Sequence, residues 1–193
     1  LTEYMWYGNA LGENTLFEGI RKLRPGHWLR FDEKGCVTEP FWDLSEVASL
    51  DIGEAEAVER VRGHLEDAVK RHLMGDVPIG GFLSGGIDSS AVAAFAARHY
   101  GEQIKTYSVD FDFNSGESEL AQARRVAERV GSDHNELHIG QWDAVELVER
   151  LVAVHDEPFG DAANIPLYLL CDQLGGSPKV VLQGDGGDEM FAG

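Results

Sequence analysis

Long apolar runs are missing from this chain. No stretch of its 193 residues approaches the roughly 20 apolar residues that a membrane-spanning helix needs. The first residues, "LTEYMWYGNALGENTLF", show no basic segment leading into an apolar one, so no secretory leader is expected. Cysteine is scarce as well. Cys36 and Cys171 stand far apart, without the spacing of a metal or redox pair, and two reduced thiols in a cytoplasmic protein are expected. Basic side chains are few: 16 Lys and Arg face 34 Asp and Glu, for a net charge of −18. Proteins that hold nucleic acid neutralise phosphates with clustered cations, so this balance argues against a nucleic-acid partner. Any phosphate bound here would need metal ions and backbone N–H groups as counter-charge.

What is present is a globular composition, 43% hydrophobic, in a chain long enough for one substantial domain and a small appendage. Residues 1–53 are rich in Gly, Pro and aromatics, and "GHWLRFDEKGCVTEPFW" reads as a hairpin turning at "DEKG". From Glu54 the pattern changes to helix, with Ala57, Val61, Leu65, Ala68 and Leu73 at helical spacing. Strand-like runs ("VPIGGFL", "QIKTYSVDF", "HNELHI", "KVVLQG") then alternate with helical ones ("SSAVAAFAARHY", "ESELAQARRVAERVG", "WDAVELVERLVAVH", "NIPLYLLCDQLG"). Such alternation predicts βαβ units and an α/β, doubly wound parallel sheet over residues 54–193, with residues 1–53 as an annex.

Ligands of open α/β sheets bind at the carboxyl ends of the strands. Two strand-end loops here have unusual composition. Ser84-Gly85-Gly86-Ile87-Asp88-Ser89-Ser90 resembles a phosphate loop without the Walker lysine. Its glycines allow close backbone approach, and Ser89 and Ser90 open a helix whose free N–H groups and hydroxyls are expected to meet an anion. Asp88 would repel a bare phosphate but suits Mg²⁺ bridging to one. A glycine turn with Ser and Asp caps is the plain structural alternative. The second loop, Gly184-Asp185-Gly186-Gly187-Asp188-Glu189, sets three carboxylates among three glycines, a repulsion best relieved by a cation. Together the loops point to Mg-nucleotide chemistry.

"SGGIDSS" is similar to the signature of the PP-loop, or N-type ATP pyrophosphatase, group. With "DVPIGGFLSGGIDSS", "TYSVDF", "DEPFGDAANIPLYLL" and "VVLQGDGGDEMFAG" in order, the chain resembles the synthetase domain of glutamine-dependent asparagine synthetases. "NTLFEGIRKLRPGHWLRFDEKG…FWDL" resembles the connector that precedes it in that family. The resemblance implies an adenine nucleotide alpha hydrolase-like fold that cleaves ATP between its α and β phosphates. That chemistry holds a departing pyrophosphate and has no need of the Walker lysine. It implies that Leu83, Ser84, Gly85, Gly86, Asp88, Ser89, Ser90, Val109, Gln183 and Gly184 contact ATP. Asp185 would serve in forming an aspartyl adenylate, and Asp88 and Asp188 would hold Mg²⁺. Two positions depart from the family pattern: Gln183 stands where Ser is frequent, and Asp185 where Glu is usual.

The implied reaction joins aspartate and ammonia, the latter released from glutamine by a separate glutaminase domain, and yields asparagine, AMP and pyrophosphate. A homodimer is compatible with it. Related adenylating cyclases that close β-lactams or peptides, and a non-catalytic nucleotide-binding module, are the alternatives. Because the chain begins at Leu1 and stops soon after the acidic loop, it is expected to be a piece of a longer protein with little activity alone. "HNELH" lacks the Glu that a zinc H-E-x-x-H places after its first His, and it reads as strand. His155 beside Asp156 and Glu157 reads as a solvated helix end, and Trp28 and Trp42 as packing residues of the annex.

Overall fold

The structure, a computed structural model, describes residues 1–44, 47–111, 119–140, 142–161 and 163–191. In chain order its elements are α1 (Thr2–Tyr7), β1 (His27–Asp32), β2 (Gly35–Pro40), α2 (Glu54–His72), β3 (Ile79–Phe82), α3 (Ile87–His99) and β4 (Lys105–Phe111). They continue with α4 (Leu120–Val130), β5 (Asp133–Ile139), α5 (Ala144–His155), α6 (Asn164–Leu174), β6 (Val180–Leu182) and α7 (Gly187–Phe191). The chain divides into two compact units, Leu1–Asp51 with Asp143–Pro166, and Ile52–Trp142 with Leu167–Gly193.

The first unit contains the expected hairpin. β1 and β2 pair antiparallel with Asp32 opposite Gly35, and Asp32 Oδ1 accepts the Lys34 N–H at 2.9 Å inside the turn. Residues 143–166 belong with this unit because Glu157 accepts the Leu16 N–H (3.0 Å) and Lys22 Nζ (2.8 Å). These partners hold the Glu157 carboxyl below its ordinary value, so Glu157 is a structural strut, whereas His155, the last residue of α5, is exposed. Trp28 of β1 and Trp42, just beyond β2, are only partly covered, at 38% and 54% exposed.

The second unit carries the parallel sheet that the alternation predicts, with strand order β5-β4-β3-β6. From β3 the chain steps to β4 and β5 on one side, then returns to lay β6 on the other. The doubly wound reversal therefore falls between β3 and β6. α3 is alanine-rich and fits between two cores. One joins Leu83, Ala93, Ala123 and Ala127; the other joins Val69, Ala96 and Ile104, with Leu65 and Leu73 beside them. α2 thus turns the row Leu65, Val69 and Leu73 inward, whereas Val61 of the predicted face stays 43% exposed. α4 ends at Gly131 in the left-handed conformation (φ 74°), as its sequence predicts.

The histidines of "HNELH" lie on β5, not on a helix. His134 Nδ1 meets the buried Thr106 Oγ1 at 2.9 Å, and that hydroxyl meets Ser132 Oγ at 2.8 Å. His138 faces Asp110 at 3.7 Å. Arg124 grips Glu136 through two hydrogen bonds, at 2.9 and 2.8 Å.

Candidate functional site

Leaving β3, Leu83 donates its N–H to Tyr107 O at 2.8 Å, and its carbonyl accepts the Ser108 hydroxyl. Its side chain is 1% exposed and belongs to the core, so the backbone is the part of Leu83 available to a ligand. Gly85 then turns with φ +84°, and a Cβ there would come within 2.8 Å of Ala123 N. Glycine is required on both counts.

Within the loop, Ser84 Oγ and Ser89 Oγ lie 2.9 Å apart, and Gly86 donates its N–H to Ser84 Oγ at 3.2 Å. Ser89 is buried and also accepts the Ser84 N–H at 3.3 Å, so its hydroxyl is used to shape the loop. Ser90 Oγ is enclosed and has no partner among the described residues. The expected convergence of both hydroxyls on one anion is therefore not what the loop offers. Its donors are the N–H groups of the first turn. The first helical bond of α3 is Ser90 N–H to Gly86 O (3.1 Å), which leaves the Ile87, Asp88 and Ser89 N–H groups without acceptors among the described residues.

The second loop leaves β6 through Gln183 and turns at Gly184, whose carbonyl accepts the Gly187 N–H at 3.2 Å. Gln183 Nε2 donates to Asp185 Oδ2. The two loops meet here. A Cβ on Gly184 would lie 2.8 Å from Ser89 N and 2.9 Å from Asp88 Cβ, and one on Gly187 would lie 2.4 Å from Asp88 Cγ. Chain segments about a hundred residues apart in sequence thus touch through glycines, at the carboxyl ends of β3 and β6, where the strand order reverses.

Seven of the predicted residues line two hollows, whereas Gly85, Gly86, Ser89 and Ser90 line neither. A cavity of about 700 Å³ is lined by Asp88, Gln183, Gly184, Asp185 and Gly187, with Leu65, Val69 and His64 of α2 among its other walls. A smaller one of about 190 Å³ is lined by Leu83, Ser84 and Val109, together with Tyr107, Leu120 and Leu170. Burial pushes the Tyr107 phenol above its ordinary value. Asp188 sits at the start of α7, exposed, and is not a wall of either cavity. Among the described residues no three His, Cys, Asp or Glu side chains gather as a ready-made metal cage. The donor set still suits Mg²⁺, which takes one or two carboxylates and completes its shell with phosphate oxygens and water. The α2 wall and the Gln183–Asp185 contact were not read from the sequence; the i, i+2 spacing at a strand end is the signal for the latter.

A family model described as asparagine synthase matches residues 60–193. The chain belongs to that family. Across its whole length it is 32% identical to "Asparagine synthetase [glutamine-hydrolyzing] 3" of Bacillus subtilis (strain 168), over 207 aligned residues that cover 34% of that protein. It is 35% identical to "Amidase chyE" of Penicillium rubens, with 93% of this chain and 29% of that protein covered. The chain thus spans about a third of the length of these curated members of the comparison. Among solved structures, an NH3-dependent NAD synthetase from Campylobacter jejuni matches with a TM-score of 0.44 and 15% identity, covering 69% of this chain and 58% of that one.

Proposed function

We propose that this asparagine synthase family chain supplies the ATP pyrophosphatase site of an amide-forming ligase. In this reading residues 54–193 form that domain and residues 1–53 the connector before it. The substrates are ATP, aspartate and ammonia, the last delivered by a glutaminase domain of the full-length protein. The observation that carries the reading is the seating of Gly184 on the first turn of α3, which joins the acidic loop to the anion-binding one.

The free N–H groups of Ile87, Asp88 and Ser89, at the positive end of a 13-residue helix, suit the pyrophosphate leaving group. Asp88 and Asp188 would hold Mg²⁺, which supplies charge neutralisation on the phosphate oxygens. Leu83 and Val109 would border the nucleoside, and Gly184 the phosphate side. Asp185 would serve in forming the adenylate, as the aspartate carboxylate attacks the α-phosphorus and gives β-aspartyl-AMP and pyrophosphate. Ammonia then attacks the acyl carbon and releases AMP. Donors already aimed at the departing charge lower the barrier without reorganising during the step.

In a second reading the acyl adenylate passes to a different amine, as in an adenylating cyclase. Aspartate-dependent exchange of labelled pyrophosphate into ATP, catalysed by the full-length protein with Mg²⁺, separates the two. Exchange with aspartate, lost in Asp88→Asn, is expected. ATP binding without any aspartate-dependent exchange would sink the first reading.

A further inference from the structure

Gln183 and Asp185 flank Gly184, whose backbone is pressed against Ser89 N and Asp88. Both residues line the 700 Å³ cavity, as does Asp88, and among the described residues no Lys or Arg lines it. Asp88 and Asp185 therefore share one hollow in a chain of net charge −18, and repulsion drives an exposed Asp185 side chain out toward solvent. Opposing this, Gln183 Nε2 donates to Asp185 Oδ2. A carboxylate has two oxygens, so this contact leaves Oδ1 able to accept another donor. Gln183 fills this role without adding a positive charge, which would pair with Asp88 and compete for any cation there.

We propose that Gln183 is a positioning residue. Its amide holds the Asp185 carboxylate inside the cavity, with Oδ1 left to accept a donor group of the acyl substrate, and its principal partner is Asp185 rather than the nucleotide. The proposal rests on the functional reading above and deepens it. Because the bond fixes a rotamer at the reacting end, its loss lowers kcat and leaves ATP capture nearly unchanged.

The test uses the full-length protein and aspartate-dependent ATP–pyrophosphate exchange for the wild type, Gln183→Leu, Asp185→Ala and the double variant. Gln183→Leu keeps most of the side-chain volume and removes the donor. Its kcat is expected to fall about tenfold with KM for ATP within about twofold, and the double variant is expected to be no slower than Asp185→Ala. Wild-type kcat in Gln183→Leu, a parallel rise in KM for ATP, or losses that add in the double variant would each overturn it. If the wild type shows no exchange, the functional reading has failed, and the pair is judged by the ¹⁵N-resolved side-chain amide of Gln183. A shift of that amide in Asp185→Ala upholds the contact, and an unshifted amide overturns it.

Discussion

The carboxyl group of Asp88 occupies the space that a side chain on Gly187 would need: a Cβ there would lie 2.4 Å from Asp88 Cγ and 2.7 Å from each carboxyl oxygen. Asp88 lies in the first turn of the helix after β3, and Gly187 opens the helix after β6. The acidic loop has its glycine where the carboxylate of the first loop must fit.

Gly187→Ala should therefore act on function more than on folding. The atoms in its way are the mobile end of Asp88, not backbone, and the side chain can rotate aside. Pyrophosphate exchange by the full-length protein is expected to fall about tenfold, while the melting temperature stays within about 2 °C of wild type. A variant with normal exchange would show that the Asp88 position is immaterial.

Gly184→Ala should do the opposite. Its methyl would meet Ser89 N at 2.8 Å and the Asp88 backbone carbon at 3.1 Å, and backbone cannot swing away. Overpacking of this kind costs about 1–3 kcal/mol. Chemical denaturation should register that loss, and an unchanged midpoint would contradict the contact between the loops.

Leu83→Ala is expected to behave as a core mutation although the residue adjoins the anion loop. The side chain is 1% exposed and packs with Ala93, Ala123 and Ala127. Truncating a buried leucine costs about 2–5 kcal/mol. Equilibrium unfolding should show it, whereas ATP affinity measured well below the melting temperature should change little.

Stability should weaken in mild acid through His134. Burial holds its imidazole below the ordinary value; the nearby Glu136 carboxylate opposes that shift and Arg124 reinforces it. As pH falls past about 6.5 the unfolded chain takes up the proton first, so the folded state loses stability until the lowered native value is passed. From above neutrality into mild acid, the melting temperature of the wild type should fall more steeply than that of His134→Gln. Parallel curves would exclude His134 as the source.

Alternation of strand and helix, the hairpin at "DEKG", the end of α4 at Gly131 and the two strand-end loops were legible in the sequence alone. Each depends on short-range patterns: periodicity within one element, or glycine and acid density within one turn. The inward row of α2, Leu65-Val69-Leu73, was legible only in part, because the choice among apolar stripes is made by α3 and Ile104. Tertiary structure also turned Leu83 into the core and drew the Ser89 hydroxyl back to Ser84. It alone decided that Gly184 and Gly187 rest on Asp88 and Ser89, because that contact exists only when β6 is laid beside β3. Local sequence determined the composition of the two loops; the order of the strands decided that they meet in one place.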